Sequence, residues 1–160
     1  GGCPIVAYSA RCDYTVADRE ARRYDVEPLQ ERGELLVIDP LVIDKHLHRY
    51  RKGLRQLMPM CEHYDVRFDG SHDASFDAVA VARLAYRIAR SARAIRRDAW
   101  EENPIQAEWE RVRDDPRALH DAQIEWAGFQ ARGLRAHFLQ TPDKRDLAGE
   151  VREEWPIIPL

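Results

Sequence analysis

Two short apolar runs separated by one helical pattern constrain this chain more than any other feature. "PIVAYS" (4–9) is rich in β-branched and aromatic residues and reads as a buried strand. A second run, Leu35 to Ile38 within "ELLVIDPLVID" (34–44), reads as another strand that ends at Asp39-Pro40. Between them, "DYTVADREARRY" (13–24) sets Val16, Ala17, Ala21 and Tyr24 at helical spacing. Asp13 falls near the start of that helix, where the backbone dipole favours an acid. Strand, helix and strand within about 35 residues make a βαβ unit, whose strands pair in parallel across a right-handed crossover. The expected fold class is α/β. A two-stranded parallel sheet by itself leaves an edge and an apolar face to be covered. The chain runs from Gly1-Gly2-Cys3-Pro4 almost directly into its first strand, so it reads as a fragment that starts mid-fold.

Helices dominate the remainder. "DKHLHRYRKGLRQ" (44–56) is basic and carries Gly53. "LMPMCEHYDV" (57–66) is a short helix if Pro59 lies in its first turn, with Asp65 at a left-handed cap. From Asp73 to about Trp100 runs the longest helical pattern. Phe76, Val79, Ala80, Leu84, Ile88 and Ile95 form its apolar positions, and Arg residues mark its later turns. Asn103-Pro104 breaks it. Asp115 then caps a final helix, started by Pro116 and reaching about Leu139, with Leu119, Trp126, Phe129, Gly133 and Phe138 as its packing stripe. The tail "EEWPIIPL" is expected to lie as an extended strap. Residues 1–102 and 103–160 thus divide into an α/β part and a helical extension with its tail.

Composition excludes several classes. The 160 residues are 44% apolar and 33% charged, which is globular rather than disordered. No apolar run approaches the ~18 residues of a membrane helix, and no signal peptide is visible. Three cysteines, Cys3, Cys12 and Cys61, give no even disulfide framework and suit a reduced, cytoplasmic setting. A net charge of -3 means that any nucleic-acid footprint must be local.

The chemistry sits in "GSHDASFDA" (70–78). A histidine just before a helix and an aspartate in its second turn can face one cavity. The aspartate can hold a divalent metal through oxygen, and the histidine can take a proton from an attacking water. His72, Ala74, Asp77 and Ala78 match the third motif, His-x-Ala-x-x-Asp-Ala, of the DEDDh branch of the DnaQ-like 3′–5′ exonucleases. "PIVAYSARCDYTVADRE" is similar to that family's second motif, with Asp13 at its aspartate. Ser9 stands where the family has Asn, and Cys12 where an aromatic residue is usual. "LLVIDPLVID", "KHLHRYRKGLRQL", "MCEHYDV", "LHDAQIEWAGFQARGLRAHF" and "WPIIP" follow in family order, so the resemblance covers nearly the whole chain and points toward an actinobacterial, polymerase III epsilon-like exonuclease.

That resemblance implies an RNase H-like fold fragment with two parallel strands, long helices and a C-terminal helical extension. It implies a metal-dependent exonuclease that removes nucleotides from DNA 3′ ends in proofreading or repair, with two Mg²⁺ or Mn²⁺ ions in the complete site. Asp13 and Asp77 would be metal ligands and His72 the general base. The two further carboxylates of the family's first motif, Asp-x-Glu, are expected upstream of Pro4 or on another chain. Asp25-Val26-Glu27 has the right letters but lies in the connection before Pro28 and reads as a solvated turn. The expected partners are a single-stranded DNA 3′ end, together with a polymerase or the half that carries the first motif.

Within the basic stretch, Arg51, Lys52 and Arg55, with Lys45 and Arg49, form a candidate nucleic-acid contact, and Tyr50 offers a stacking face. His46-x-His48 and Cys61-x-His63 lack the spacing of a zinc finger, and no Gly-x-Ser-x-Gly elbow is present. The alternative to the nuclease is a non-catalytic nucleic-acid-binding or interaction module derived from the same fold.

Overall fold

Two short parallel strands pack among helices, and helix α1, which carries Asp13, begins just beyond the first of them. The structure is a computed structural model that describes residues 3–68, 74–94 and 104–160. In chain order these form β1 (Ile5–Val6), α1 (Ala10–Arg23), β2 (Val37–Ile38), α2 (Pro40–Leu47), α3 (Leu57–His63), α4 (Ala74–Ala94), α5 (Pro104–Val112) and α6 (Pro116–Gln140). A 3-10 run over Pro142–Glu150 follows, and residues 151–160 form neither helix nor strand, with a bend at Pro156. The expected α/β character is present, although helix predominates among the described residues.

β1 and β2 pair in parallel, Ile5 with Val37 and Val6 with Ile38. Both strands are shorter than the apolar runs suggest, because the chain turns at Ser9 (φ 58°) after one and enters a helix at Pro40 after the other. The strand ends at Asp39-Pro40 as expected, and the residues that follow form α2, a helix the sequence reading did not assign. Its signal is in the sequence: Asp39 accepts the Leu41 N–H at 2.9 Å and Pro40 opens the first turn. The same device starts α6, where the Asp115 carboxylate accepts from Arg117 and Ala118. Asp65 takes the left-handed conformation expected after α3 (φ 52°).

Helix α1 buries a different face from the one its spacing suggested. Ala10, Tyr14, Thr15 and Asp18 point inward, while Val16 is 56% and Tyr24 67% exposed. Fixed partners decide the rotation. Asp39 holds the Ser9 and Ala10 N–H groups, Thr15 Oγ1 accepts the Ile158 N–H at 3.0 Å, and Asp18 pairs with Arg22. On α4, Ala80, Leu84 and Ile88 are buried as expected, whereas Phe76 and Val79 are exposed. On α6, Leu119 and Trp126 are buried, but the stripe continues through Gln123, Ala127 and Ala131 rather than Phe129 and Gly133.

One core joins the segments on both sides of residue 102. Val37, Ile43, Met60, Leu84 and Ile88 pack in the same cluster as Trp109, Leu119, Trp126 and Trp155. Helix α6 also closes the outer edge of β2. The Val37 N–H donates to His120 Nδ1 at 3.1 Å, the Asp39 N–H donates to Gln123 Oε1 at 2.7 Å, and Gln123 Nε2 donates back to the Val37 carbonyl at 2.9 Å. Side chains thereby replace a third strand on that side. Along the far edge of β1, no strand pairs among the described residues.

Candidate functional site

The C-terminal ends of β1 and β2 lead directly into α1 and α2, and one carboxylate ties the two helix starts together. Asp39, 1% exposed, accepts from Ser9 N at 3.1 Å, Ala10 N at 2.9 Å and Leu41 N. Burial raises its pKa, and the three backbone donors, which favour the charged form, pull against that rise. Ser9 adopts a left-handed conformation that Asn accepts more readily than most residues, at the position where the resembling motif has Asn. Asp13 stands one turn into α1 and is exposed.

Asp77 lies in the first turn of α4, which packs against β1, α2 and α3. Its carboxylate is half-buried, and Oδ1 is shielded from solvent without a hydrogen-bond partner among the described residues. Cys61 of α3 lies close enough to feel it: burial pushes the Cys61 thiol up, and the Asp77 charge pushes it further. His72 lies outside the described residues. Among those described, no group of three or more His, Cys, Asp or Glu gathers at metal-binding separation.

The basic stretch turns inward. Asp44 is fully buried and accepts four hydrogen bonds: from Arg51 Nε and Nη2 at 3.1 and 3.2 Å, from Arg55 Nε at 2.7 Å and from the Tyr64 hydroxyl at 2.6 Å. Gly53, at φ 102°, lets the loop reverse so that both arginines reach the one carboxylate. Desolvation pushes the Asp44 pKa up, but the bonds from Arg51, Tyr64 and Arg55 outweigh it and leave the group below the usual carboxylate range. Of the expected nucleic-acid contacts, Lys52 is exposed, whereas Arg51 and Arg55 have mostly buried side chains and hold the loop to α2. Nothing in the sequence reading gave Asp39 or Asp44 a role; an Asp-Pro step and an acid facing two nearby arginines were the available signals.

No family model, curated protein or solved structure matches this chain. Asp25, Val26 and Glu27 are all exposed, with Asp25 at φ 55°, the solvated turn expected of them. His46 stacks on Trp126, with ring centroids 3.9 Å apart and planes 8° from parallel, and its Nε2 lies 3.3 Å from Glu108. Glu108 also accepts the Trp126 indole N–H at 2.8 Å. Trp109 and Trp126 are buried packing residues, whereas Phe129 stands in solvent. Cys3 and Cys12 are exposed and Cys61 buried, all as free thiols. Among the described residues, no helix is long and apolar enough to cross a membrane.

Proposed function

We propose that this chain is the C-terminal portion of a DnaQ-like, RNase H-like 3′–5′ exonuclease acting on single-stranded DNA 3′ ends. The observation that carries the reading is Asp77: a carboxylate oxygen withdrawn from water, without a hydrogen-bond partner among the described residues, at the motif position of a metal ligand. A buried acceptor without a partner is rare, and a cation is one physical reason for it to persist. The left-handed Ser9 at the second-motif Asn position, one turn before Asp13, adds independent support.

Asp13 and Asp77 offer the oxygen donors that Mg²⁺ or Mn²⁺ prefers, so the residues present fit such an ion. When bound, it would supply water activation and charge stabilisation at the leaving oxygen. Two further carboxylates, from an Asp-x-Glu motif on another segment, complete the ligand set in this reading. His72, next to the start of α4, is the base that accepts the water's proton.

The test is a nuclease assay on the intact reading frame with Mg²⁺, comparing His72→Ala and Asp77→Asn with the parent. Each substitution is expected to lower cleavage by at least about 100-fold. Full metal-dependent activity in both variants would remove the assignment. Strand binding without cleavage in the parent would favour the non-catalytic module instead.

A further inference from the structure

Two aromatic rings stand in solvent where the loop after α2 meets α6. Tyr50 is 87% exposed and Phe129 51%. The Arg49 guanidinium carbon lies 5.5 Å from the Tyr50 ring centre and 4.9 Å from that of Phe129, so one cation spans a ring from the loop and a ring from the C-terminal helix. A shallow cleft of about 460 Å³ opens beside them, lined by Leu47, His48, Arg49, Tyr50, Arg51 and His63, with no carboxylate in its wall among the described residues.

The charge beneath this surface is also unbalanced. The Asp44 carboxylate is shared by two guanidiniums, so the buried network holds one positive charge more than it neutralises. Lys52, exposed on the same loop, adds another cation. The chain as a whole carries -3, so this basic surface is local. A lone exposed ring needs no explanation. Two rings bridged by a cation, beside a cleft whose described wall includes Arg49, Arg51 and two histidines, match the needs of a flexible single strand: cations for phosphates and ring faces for bases. An acidic protein segment would use the cations but has no comparable use for the ring faces.

We infer that Arg49, Tyr50 and Phe129 form a base-stacking platform for a single-stranded polynucleotide, with Lys52 and the Arg51–Arg55 pair supplying positive potential for its phosphates. The choice of occupant rests on the nuclease reading above, but the site itself is separable from cleavage. It also gives the C-terminal helix a part in substrate binding.

The experiment is fluorescence anisotropy of a labelled oligothymidylate with the 160-residue chain in EDTA, where metal-dependent cleavage is silent. Both rings are exposed, so Tyr50→Ala and Phe129→Ala are expected to keep the parent's circular dichroism and melting temperature. Each is expected to raise Kd at least about fivefold, while Tyr50→Phe stays within about twofold of the parent. Absence of binding by the parent overturns the inference, as does binding that neither alanine variant weakens. Displacement of the oligonucleotide by polyglutamate with the same dependence on both rings overturns it too, in favour of an acidic protein partner. Loss of the platform leaves the His72 test standing, and loss of cleavage leaves the platform standing.

Discussion

Asp44 shows how one side chain organises a stretch that reads, as sequence, like a solvated basic loop. Its carboxylate draws Arg51, Arg55 and Tyr64 to the end of α2 and closes the 48–56 loop over Met60. Removing one partner of a buried ion network leaves the others desolvated and unpaired, which typically costs about 3–5 kcal/mol. Asp44→Asn keeps the shape but not the charge, and is expected to lose a few kcal/mol of unfolding free energy in urea titrations at neutral pH. The pH dependence has a definite sign. The folded pKa lies below the unfolded one, so the stabilisation is complete above the ordinary carboxylate value near 4 and disappears as pH falls through the lower, folded value. The parent should therefore lose stability faster than Asp44→Asn on acidification below about pH 4. Unchanged acid sensitivity in the variant would rule out this role.

At the scale of elements, the junction of α6 with β2 determines how the sheet ends. Strand β2 is an edge by topology, yet its outward-facing groups at Val37 and Asp39 are satisfied by His120 and Gln123. Gln123 is fully buried and uses both ends of its amide there. Gln123→Leu removes that amide and strands the Asp39 N–H and the Val37 carbonyl; at about 1–3 kcal/mol per buried unpaired group, the expected loss is roughly 2–6 kcal/mol. Ile124→Ala, one position along and facing solvent, serves as the control and should cost under about 1 kcal/mol. Amide hydrogen exchange offers a second measure, because protection at Val37 and Asp39 should fall in Gln123→Leu and remain in Ile124→Ala. The periodic pattern of α6 supplied the helix and its cap but not this contact. A buried glutamine breaks an apolar stripe in the sequence and completes a hydrogen-bond ladder in the fold.

At the scale of the molecule, the core crosses the boundary that the Asn103-Pro104 break suggests near residue 102. His46 of α2, Glu108 of α5 and Trp126 of α6 meet at one point. Burial lowers the His46 pKa, and Glu108 opposes the shift. The neutral ring is therefore favoured in the folded state. Its contribution is complete above the unfolded histidine value of about 6.5 and is lost as pH falls toward the lower folded value. His46→Phe keeps an aromatic ring on Trp126 but cannot take a proton. Its chemical-denaturation midpoint should vary less between about pH 7 and 5 than that of the parent. An identical pH profile in the two proteins would show that the joint does not sense protonation. His48, also lowered by burial, remains in both proteins and sets the common background.

Local chemistry was enough to determine much of this chain. Apolar runs gave both strand positions, Asp115-Pro116 gave the start of α6, and the tolerance of Asp for a left-handed cap gave the end of α3. Those features depend on residues a few positions apart. The motif around His72 and Asp77 was equally local, and so it suggested a chemistry before any fold was known. Tertiary structure alone decided which face of α1 turns inward, because Asp39 and the tail hold that helix from 29 and 143 residues away. It also turned Arg51 and Arg55 onto Asp44 and left Arg49, Tyr50 and Phe129 facing solvent. Charge and periodicity say that a residue can meet water or a partner. Which of the two it meets depends on long-range contacts that no local pattern encodes.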